Sequence, residues 1–256
     1  MLTQKRQFDD LIHLLLDMGE TMLSCGAEVN RVEDTLKRIG YAYGVKSIDT
    51  FVITSSIIIT MELNDQDHTM ITQMRRISNS PATDYMILEH LNALSRRCCQ
   101  EPIPLDELKN ELIMQKSSSE LAIAYAGSAI AVGSFTIFFG GSITDALTAV
   151  LFAILICFSQ RKIAPRFPNT IMFNLFCSFF VGLGICFCVK FIPTLHLDKI
   201  MIGDIMLLIP GLALTNAIRD ILMGDTISGL LRMCESILWA GALACGFIAA
   251  IWMMGV

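Results

Sequence analysis

The sequence predicts an α-helical membrane protein of about five transmembrane helices preceded by an α+β cytosolic domain. Two observations support this fold class. The chain has 256 residues, 54% of them hydrophobic and 17% charged, and about two thirds of the charged residues lie before residue 120. From Leu121 onward, the apolar runs are too long and too closely spaced for a soluble core. We therefore divide the chain into a cytosolic domain, 1–119, and a transmembrane domain, 120–256.

The cytosolic domain begins with two predicted amphipathic helices. Gly26 is placed to end the first helix. The apolar residues of this helix recur at helical spacing: Phe8, Leu11, Leu15, Met18 and Met22. The second, which Gly44 ends, has a similar stripe: Val29, Val32, Leu36, Ile39 and Tyr43. The spacing predicts a helical hairpin.

The next segment is rich in β-branched residues and predicts three short antiparallel strands, the last two over 56–63 and 67–75. After Pro81 the pattern is helical over 82–99 and 104–117, which completes an α+β domain. The residues "KSSSE" before position 121 form a hinge into the membrane.

Five apolar segments are long enough to be membrane spans: 120–139, 143–160, 170–192, 200–217 and 229–253. The loop between the second and third has Arg161, Lys162 and Arg166, whereas the loop between the first and second has no Lys or Arg. This bias predicts a cytosolic N-terminus and a C-terminus outside the cytoplasmic membrane. The first residues have no signal-peptide pattern.

Composition argues against several classes of function. Nine cysteines without a CxxC pair indicate buried thiols, and we predict no metal site and no cofactor. The net charge of -5 gives no indication of nucleic-acid binding. No nucleophile elbow accompanies the histidines and serines, so we predict no catalytic residues and no enzyme.

Polar residues interrupt the fourth apolar segment. Pro210 and Gly211 break it, and Asn216, Arg219 and Asp220 follow within about two turns. One interpretation is a simple proline kink with charges among the lipid headgroups. The other is a substrate pathway, to which Asn174 of the third segment would also belong. Asp145, Asp204 and Glu235 fit either a pathway or the membrane interface. Ala242, Gly246 and Ala250 form a small-residue face for packing within the chain or with a partner.

In the cytosolic domain, "SCGAEVNRVEDTLKRIG" is the most unusual stretch. Glu28 and Arg31 are one turn apart, which allows an internal ion pair. Glu28 is equally suited to act as a carboxylate at a helix N-terminus.

Three segments resemble the threonine/serine exporter family, and the resemblance extends over nearly the whole chain. They are "CGAEVNRVEDTLKRIGYAYGV" at 25–45, "LNALSR" at 91–96 and "IPGLALTNAIRDILMGDTISGLLR" at 209–232. The soluble motif of the family is matched by Gly26, Glu28 and Arg31. The membrane motif is matched by Pro210, Gly211, Asn216, Arg219, Asp220, Gly224, Asp225 and Gly229.

The resemblance implies a subunit of a secondary transporter that exports small polar metabolites, threonine or serine in the first place. Full-length members resemble one cytosolic domain followed by about ten spans, so this chain resembles the larger subunit of a split form. Its partner would be a small integral membrane protein that supplies the remaining spans. Because one branch of the split form exports succinate, dicarboxylate export is an alternative.

Other functions stay open: a non-transporting accessory or regulatory subunit, a membrane-tethered hydrolase, and assembly as a homo-oligomer. No Walker A pattern is present, so we expect coupling to a proton gradient through Asp220 or Asp204. In this hypothesis Asn216 hydrogen-bonds the substrate and Arg219 attracts a carboxylate at the cytosolic mouth.

Overall fold

The structure is a computed structural model that describes residues 2–64, 68–77, 84–113 and 121–255. Its helices and strands follow one another in the order α1 (Leu2–Ser24), α2 (Val29–Ala42), β1 (Ser47–Ile53), β2 (Ser56–Glu62), β3 (Met70–Arg76), α3 (Tyr85–Gln100), α4 (Leu105–Ile113), α5 (Leu121–Phe138), α6 (Ile143–Lys162), a 3₁₀ turn (Ala164–Arg166), α7 (Thr170–Phe191), α8 (Leu197–Leu208), α9 (Gly211–Leu222) and α10 (Thr226–Met254).

Contacts divide the chain into two units. The first unit is Met1–Ser117 with Ala213–Met233, and the second is Ser118–Leu212 with Cys234–Val256. The predicted boundary at residue 119 and the predicted hinge lie in 114–120, outside the described residues. The prediction assigned all of α9 to the membrane domain, whereas most of α9 and the start of α10 group here with the N-terminal residues. The reason is a set of polar contacts described below.

The core of the first unit lies between α1, α2 and one face of the sheet. The predicted stripe of α1 is buried, since Phe8 is 8% exposed and Leu11 and Leu15 are each 1% exposed. The stripe of α2 is buried from Val29 to Ile39, as its spacing predicts. Burial of both stripes holds the two helices together, so the turn that joins them has a defined position.

The predicted three-stranded sheet is confirmed, with antiparallel order β1-β2-β3. In the register, Ile57 of β2 lies opposite Val52 and Arg75. The central strand β2 turns Ile57, Ile59 and Met61 into the core. The predicted strands at 56–63 and 67–75 differ from the observed ones only at their ends, and residues 65–67 lie outside the described part.

Three described helices of the chain are long and apolar enough to cross a membrane: Ile143–Arg166, Thr170–Phe191 and Thr226–Met254. The pair α8 and α9 qualifies only when taken together, because each helix has 12 residues, and the two are bent by 53° at the break. With 12 residues, α8 is about 18 Å long, which is shorter than a hydrocarbon core of about 30 Å. The first predicted span corresponds to a shorter apolar helix, Ala122–Phe138. Three or four candidate spans result, and the count of five stays a prediction.

The second unit has its own apolar core, built mainly from α6, α7 and α8. Large apolar side chains on its outer surface are exposed, among them Leu147 (67%), Phe180 (63%) and Ile248 (64%). An outer surface of this kind is typical of helices that contact lipid, because lipid carries no penalty for apolar exposure. The composition and the surface together indicate a multi-pass membrane protein.

The small-residue face of α10 packs within the chain. A side chain at Gly246 would collide with Ser178 of α7 and would lie 2.6 Å from the carbonyl of Leu175. Ala250 lies against Gly182 one turn further along the same pair of helices. Of the two predicted roles for this face, the structure supports packing within the chain.

Candidate functional site

The turn between α1 and α2 has a fixed shape because α1 ends in a Schellman motif. Gly26 has a φ of 88°, a left-handed conformation that glycine adopts without steric cost. Its amide donates to the carbonyl of Leu23 at 3.0 Å, and the amide of Ala27 donates to Met22 at 2.9 Å. The carbonyls of Gly26 and Ala27 are thereby left available to other partners.

Glu28 follows as the N-cap residue of α2, but its side chain does not cap the helix. The carboxylate points instead to Arg219 of α9, whose Nη1 donates to Glu28 Oε1 at 2.6 Å. This pair is partly open to solvent, since the side chain of Arg219 is 57% exposed and that of Glu28 is 24% exposed. Among the described residues, the ionic partner of Glu28 is therefore Arg219 and not Arg31, which lies exposed on α2.

Two further donors bind the carbonyls of the turn. Asn216 of α9 donates through Nδ2 to the carbonyl of Gly26 at 3.1 Å. Arg232 of α10 donates through Nη2 to the carbonyl of Ala27 at 3.4 Å. The turn is thus joined to α9 by Asn216 and Arg219, which the sequence pattern had assigned to a pathway, and to α10 by Arg232, which it had not.

Asp220 forms the buried part of the same contact. Asp220 is 2% exposed and lies next to the start of α2, where the amide of Val29 donates to the carboxylate of Asp220. The N-terminus of a helix favours a negative charge because its first amides have no partner within the helix. Arg232 Nη1 lies 3.2 Å from Asp220 Oδ2, with the two side chains 11% and 1% exposed. Asp220 therefore compensates both the helix end and the buried guanidinium.

We call this set the loop–helix site; its residues are Gly26, Ala27, Glu28, Asn216, Arg219, Asp220 and Arg232. On α9, Asn216 and Asp220 are one turn apart and Arg219 lies between them, so all three face the same side of the helix. Exposed apolar residues occupy the other side, with Ile218 at 49% and Leu222 at 80%.

Two glycines of the membrane motif shape the elements of the site. Gly224 ends α9 in a second Schellman motif with a φ of 100°, and the amide of Asp225 donates to the carbonyl of Asp220 at 2.9 Å. A side chain at Gly229 would lie 2.5 Å from Ile221 and 2.7 Å from the carbonyl of Ala217. Glycine at this position lets the start of α10 approach the backbone of α9, which brings Arg232 to Asp220.

Two titratable groups flank the site. Burial raises the pKa of Glu33 in α2, and the charge of Asp225 raises it further. The amide of Val52, which donates to Glu33 at 3.0 Å, lowers this pKa, and so does the charge of Lys37. Burial, assisted by Asp84, raises the pKa of Cys25 and keeps that thiol protonated.

The other residues of the predicted pathway lie elsewhere. Pro210 separates α8 from α9, and the amide of Gly211 donates to the carbonyl of Ile209 at 2.9 Å. Asn174 is 5% exposed and belongs to the second unit. Arg232 was not among the predicted site residues. The position of Arg232 in the sequence indicates such a role, since a basic residue inside an apolar run requires a partner.

The Arg219–Glu28 pair has the chemistry of a charge-assisted carboxylate contact. A partly exposed guanidinium of this kind is able to bind another carboxylate in place of its partner. Within the described ranges, no group of three or more His, Cys, Asp or Glu side chains is placed to hold a metal ion.

Comparison with known proteins identifies the family. The profile of the family described as "Putative threonine/serine exporter" matches residues 13–254. The chain belongs to the threonine/serine exporter family. It is 24% identical over 249 residues to the "Probable threonine/serine exporter" of Mycobacterium tuberculosis (strain ATCC 25618 / H37Rv). The aligned region covers 94% of this chain and 46% of the relative. The chain thus spans about half the length of the curated relative that it matches. No solved structure matches.

Membership of the threonine/serine exporter family supports a membrane exporter and confirms the resemblance stated for the two motifs. In this member of the family, the soluble motif and the membrane motif meet at the loop–helix site, about 190 residues apart in the chain.

Proposed function

We propose that the protein is a subunit of a secondary exporter of small polar metabolites, with threonine or serine as the first candidates. Family membership and the name of the mycobacterial relative support export of these amino acids. The observation that carries our proposal for the site is the partly exposed Arg219–Glu28 ion pair.

A second polypeptide belongs to this proposal. We propose that a small integral membrane protein supplies further spans, as the resemblance to the split form of the family implies. In this proposal the N-terminal domain lies in the cytosol and α9 lies at the cytosolic face of the membrane. The basic loop at Arg161, Lys162 and Arg166 supports this orientation.

The loop–helix site would act as a latch that the substrate opens. Glu28 pairs with the guanidinium of Arg219 while no substrate is bound. The carboxylate of an arriving amino acid replaces Glu28, and Asn216 supplies a hydrogen bond that it otherwise gives to Gly26. The buried Asp220–Arg232 pair keeps the turn in place while the exposed pair exchanges. The break at Pro210 allows α9 to move as a separate helix.

An efflux assay tests the proposal. Cells that express the chain with its candidate partner are preloaded with a threonine or serine dipeptide, and loss of the free amino acid is followed. We expect Arg219→Ala to lower the initial efflux rate about tenfold or more, because one lost charge-assisted contact is worth about 1.5–3 kcal/mol. Glu28→Gln removes the competing carboxylate and should lower the substrate concentration at half-maximal rate.

Arg38→Ala is the matched control, because Arg38 forms an exposed ion pair with Asp34 outside the loop–helix site. It should leave efflux unchanged. If Arg219→Ala and Glu28→Gln behave like Arg38→Ala at equal membrane levels, Arg219 is not a substrate contact.

Dicarboxylate export is the second candidate, since a single guanidinium with one competing carboxylate suits an acid as well as an amino acid. Loss of succinate alone in the same assay would select it. If the small partner transports without this chain, the accessory role is correct instead. The hydrolase alternative has less support because the family consists of exporters, and purified N-terminal domain tested on esters and peptides decides it.

A further inference from the structure

Asp204 lies in the buried stripe of α8, at a position where the helix has apolar residues one turn to either side. Ile200 is 0% exposed and Leu208 is 6% exposed, and Asp204 between them is 0% exposed. It lies seven residues after the start of α8, roughly 10 Å along the axis, so it is not a capping residue. A position of this kind normally carries Leu or Ile.

The carboxyl group of Asp204 has no hydrogen-bond partner among the described residues, and this holds for both oxygens. Buried hydroxyls in the same unit bond to their own helices instead. Thr136 of α5 donates to the carbonyl of Val132 at 2.9 Å, and Ser178 of α7 donates to Leu175 at 3.1 Å. These hydroxyls donate to backbone carbonyls and not to the carboxyl of Asp204.

The two other acidic side chains that the sequence grouped with Asp204 have ordinary explanations. Asp145 begins α6 in a capping box with Ser142, and it accepts 2.8 Å and 3.0 Å bonds from the amide and ring of His196. Glu235 is exposed on α10. Among these three, Asp204 is the acid that is both buried and unbonded within the described part of the chain.

The elements packed against α8 are α5, α6 and α7. Of their titratable groups, the thiol of Cys177 is close enough to Asp204 to interact with it electrostatically. The remaining titratable groups on these three helices and at the start of α8 are Tyr125, Asp145, Cys157, Arg161, Lys162, Cys186, Cys188, Lys190, Asp198 and Lys199. Among the described residues, no cation forms an ion pair with Asp204.

We propose that Asp204 is the proton-binding carboxyl of the membrane unit, loaded with a proton in the conformation described here. An ionised carboxylate without partners in an apolar interior is too unfavourable to persist, so the group takes up a proton. Loading adds one proton to one carboxylate oxygen and neutralises one negative charge. Release requires a conformation in which water reaches the oxygens.

A proton fits this site better than a metal cation. Sodium and divalent ions need several oxygen ligands around them. Near Asp204 lie the thiol of Cys177 and, beside Gly203, the hydroxyl of Thr136, which already donates to its own helix. Gly203, the residue before Asp204, packs directly against Thr136, which keeps α5 and α8 in close contact at this level.

The test uses dicyclohexylcarbodiimide, which reacts with protonated carboxyl groups in apolar surroundings. The full chain, co-expressed with its candidate partner, is treated in native membranes between pH 6 and pH 9, and modification of the α8 peptide is read by mass spectrometry. We expect modification of Asp204 that falls about tenfold for each pH unit once the group ionises. Asp198→Asn is the matched control on the same helix, since Asp198 is an exposed acid paired with Lys199, and it should leave the modification intact.

Each outcome of this labelling supports or overturns the proposal. Modification that is absent in Asp204→Asn and equal in sodium and potassium chloride supports a proton site. Protection by sodium at constant pH and ionic strength overturns it in favour of a sodium site. An unmodified Asp204 at every pH overturns it as well. None of these readings depends on the substrate.

The coupling role of this proton rests on the proposed function and needs a transport measurement. In vesicles, Asp204→Asn should abolish efflux driven by a pH gradient while exchange of labelled for unlabelled substrate continues. Gradient-driven efflux that persists in Asp204→Asn overturns coupling through this residue. If the unmodified protein transports none of the tested metabolites while labelling of Asp204 is observed, the proposed function fails and the proton site remains.

Discussion

Asp220 and Asp204 are buried carboxylates on consecutive helices, and their surroundings differ completely. Asp220 lies against the N-terminus of α2 and pairs with Arg232 at 3.2 Å. Asp204 lies in an apolar stripe, and neither oxygen has a partner among the described residues. Both side chains are buried, so the difference between their roles follows from their partners. A carboxylate with a cationic partner holds two segments together, whereas a buried carboxyl group without a partner is suited to binding a proton.

The largest expected effect comes from removing the partner of Asp220. Arg232→Met should lower the free energy of unfolding by about 3–5 kcal/mol, because a buried charge loses its counter-charge. For a chain of this size that corresponds to a fall in Tm of roughly 10 °C, measured by scanning fluorimetry in detergent. The double variant Asp220→Asn/Arg232→Met should regain most of the loss. Equal losses in the single and double variants would show that the ion pair is not the relevant contact.

Close approach of α10 to α9 is the next feature to test. Gly229→Ala places a methyl group against Ile221 and the carbonyl of Ala217, and overpacking of this kind costs about 1–3 kcal/mol. Gly241→Ala in the same helix is the control, because a side chain there meets no atom within 4 Å. A lower Tm for Gly229→Ala and an unchanged or higher Tm for Gly241→Ala are expected. Similar results for both would mean that Arg232 reaches Asp220 without this close contact.

Asp204→Asn sharpens the comparison because it should affect stability little. One neutral polar group replaces another of the same size and no ion pair is broken, so the expected loss is about 1 kcal/mol or less. Asp220→Asn, which leaves Arg232 with a neutral partner, should lose several times more in the same thermal measurement. A loss for Asp204→Asn as large as that for Asp220→Asn would indicate a counter-charge for Asp204.

Glu33 is intermediate between Asp220 and Asp204, because it has one amide donor and is partly buried. Its substitution should have the smallest effect on stability. Burial raises the pKa of Glu33, so the folded protein binds this proton more tightly than the unfolded chain does. The resulting stability is fully present below the unfolded pKa and is lost as the pH rises through the folded pKa. Glu33→Gln keeps an oxygen for the amide of Val52 and should raise Tm slightly at pH 8 and not at pH 4. No difference between the two pH values would exclude this titration.

Much of the N-terminal fold follows from spacing along the chain. The apolar stripes of α1 and α2, the glycine that ends α1, and the three antiparallel strands were all predictable because each depends on residues within one or two turns of each other. Membrane character was predictable for the same reason, since a span is a property of about 20 consecutive residues. The break at Pro210 needed no tertiary information either.

The partners of the polar residues were not predictable. Asn216, Arg219 and Asp220 were recognised as unusual, but their bonds to Gly26, Glu28 and the start of α2 join segments about 190 residues apart, and no local pattern encodes such a pairing. The same limit applies to Asp204, Asp145 and Glu235, which look alike as acids near apolar runs. Their helix position, burial and bonding partners separate them, because the cost of a buried charge depends on what surrounds it in space.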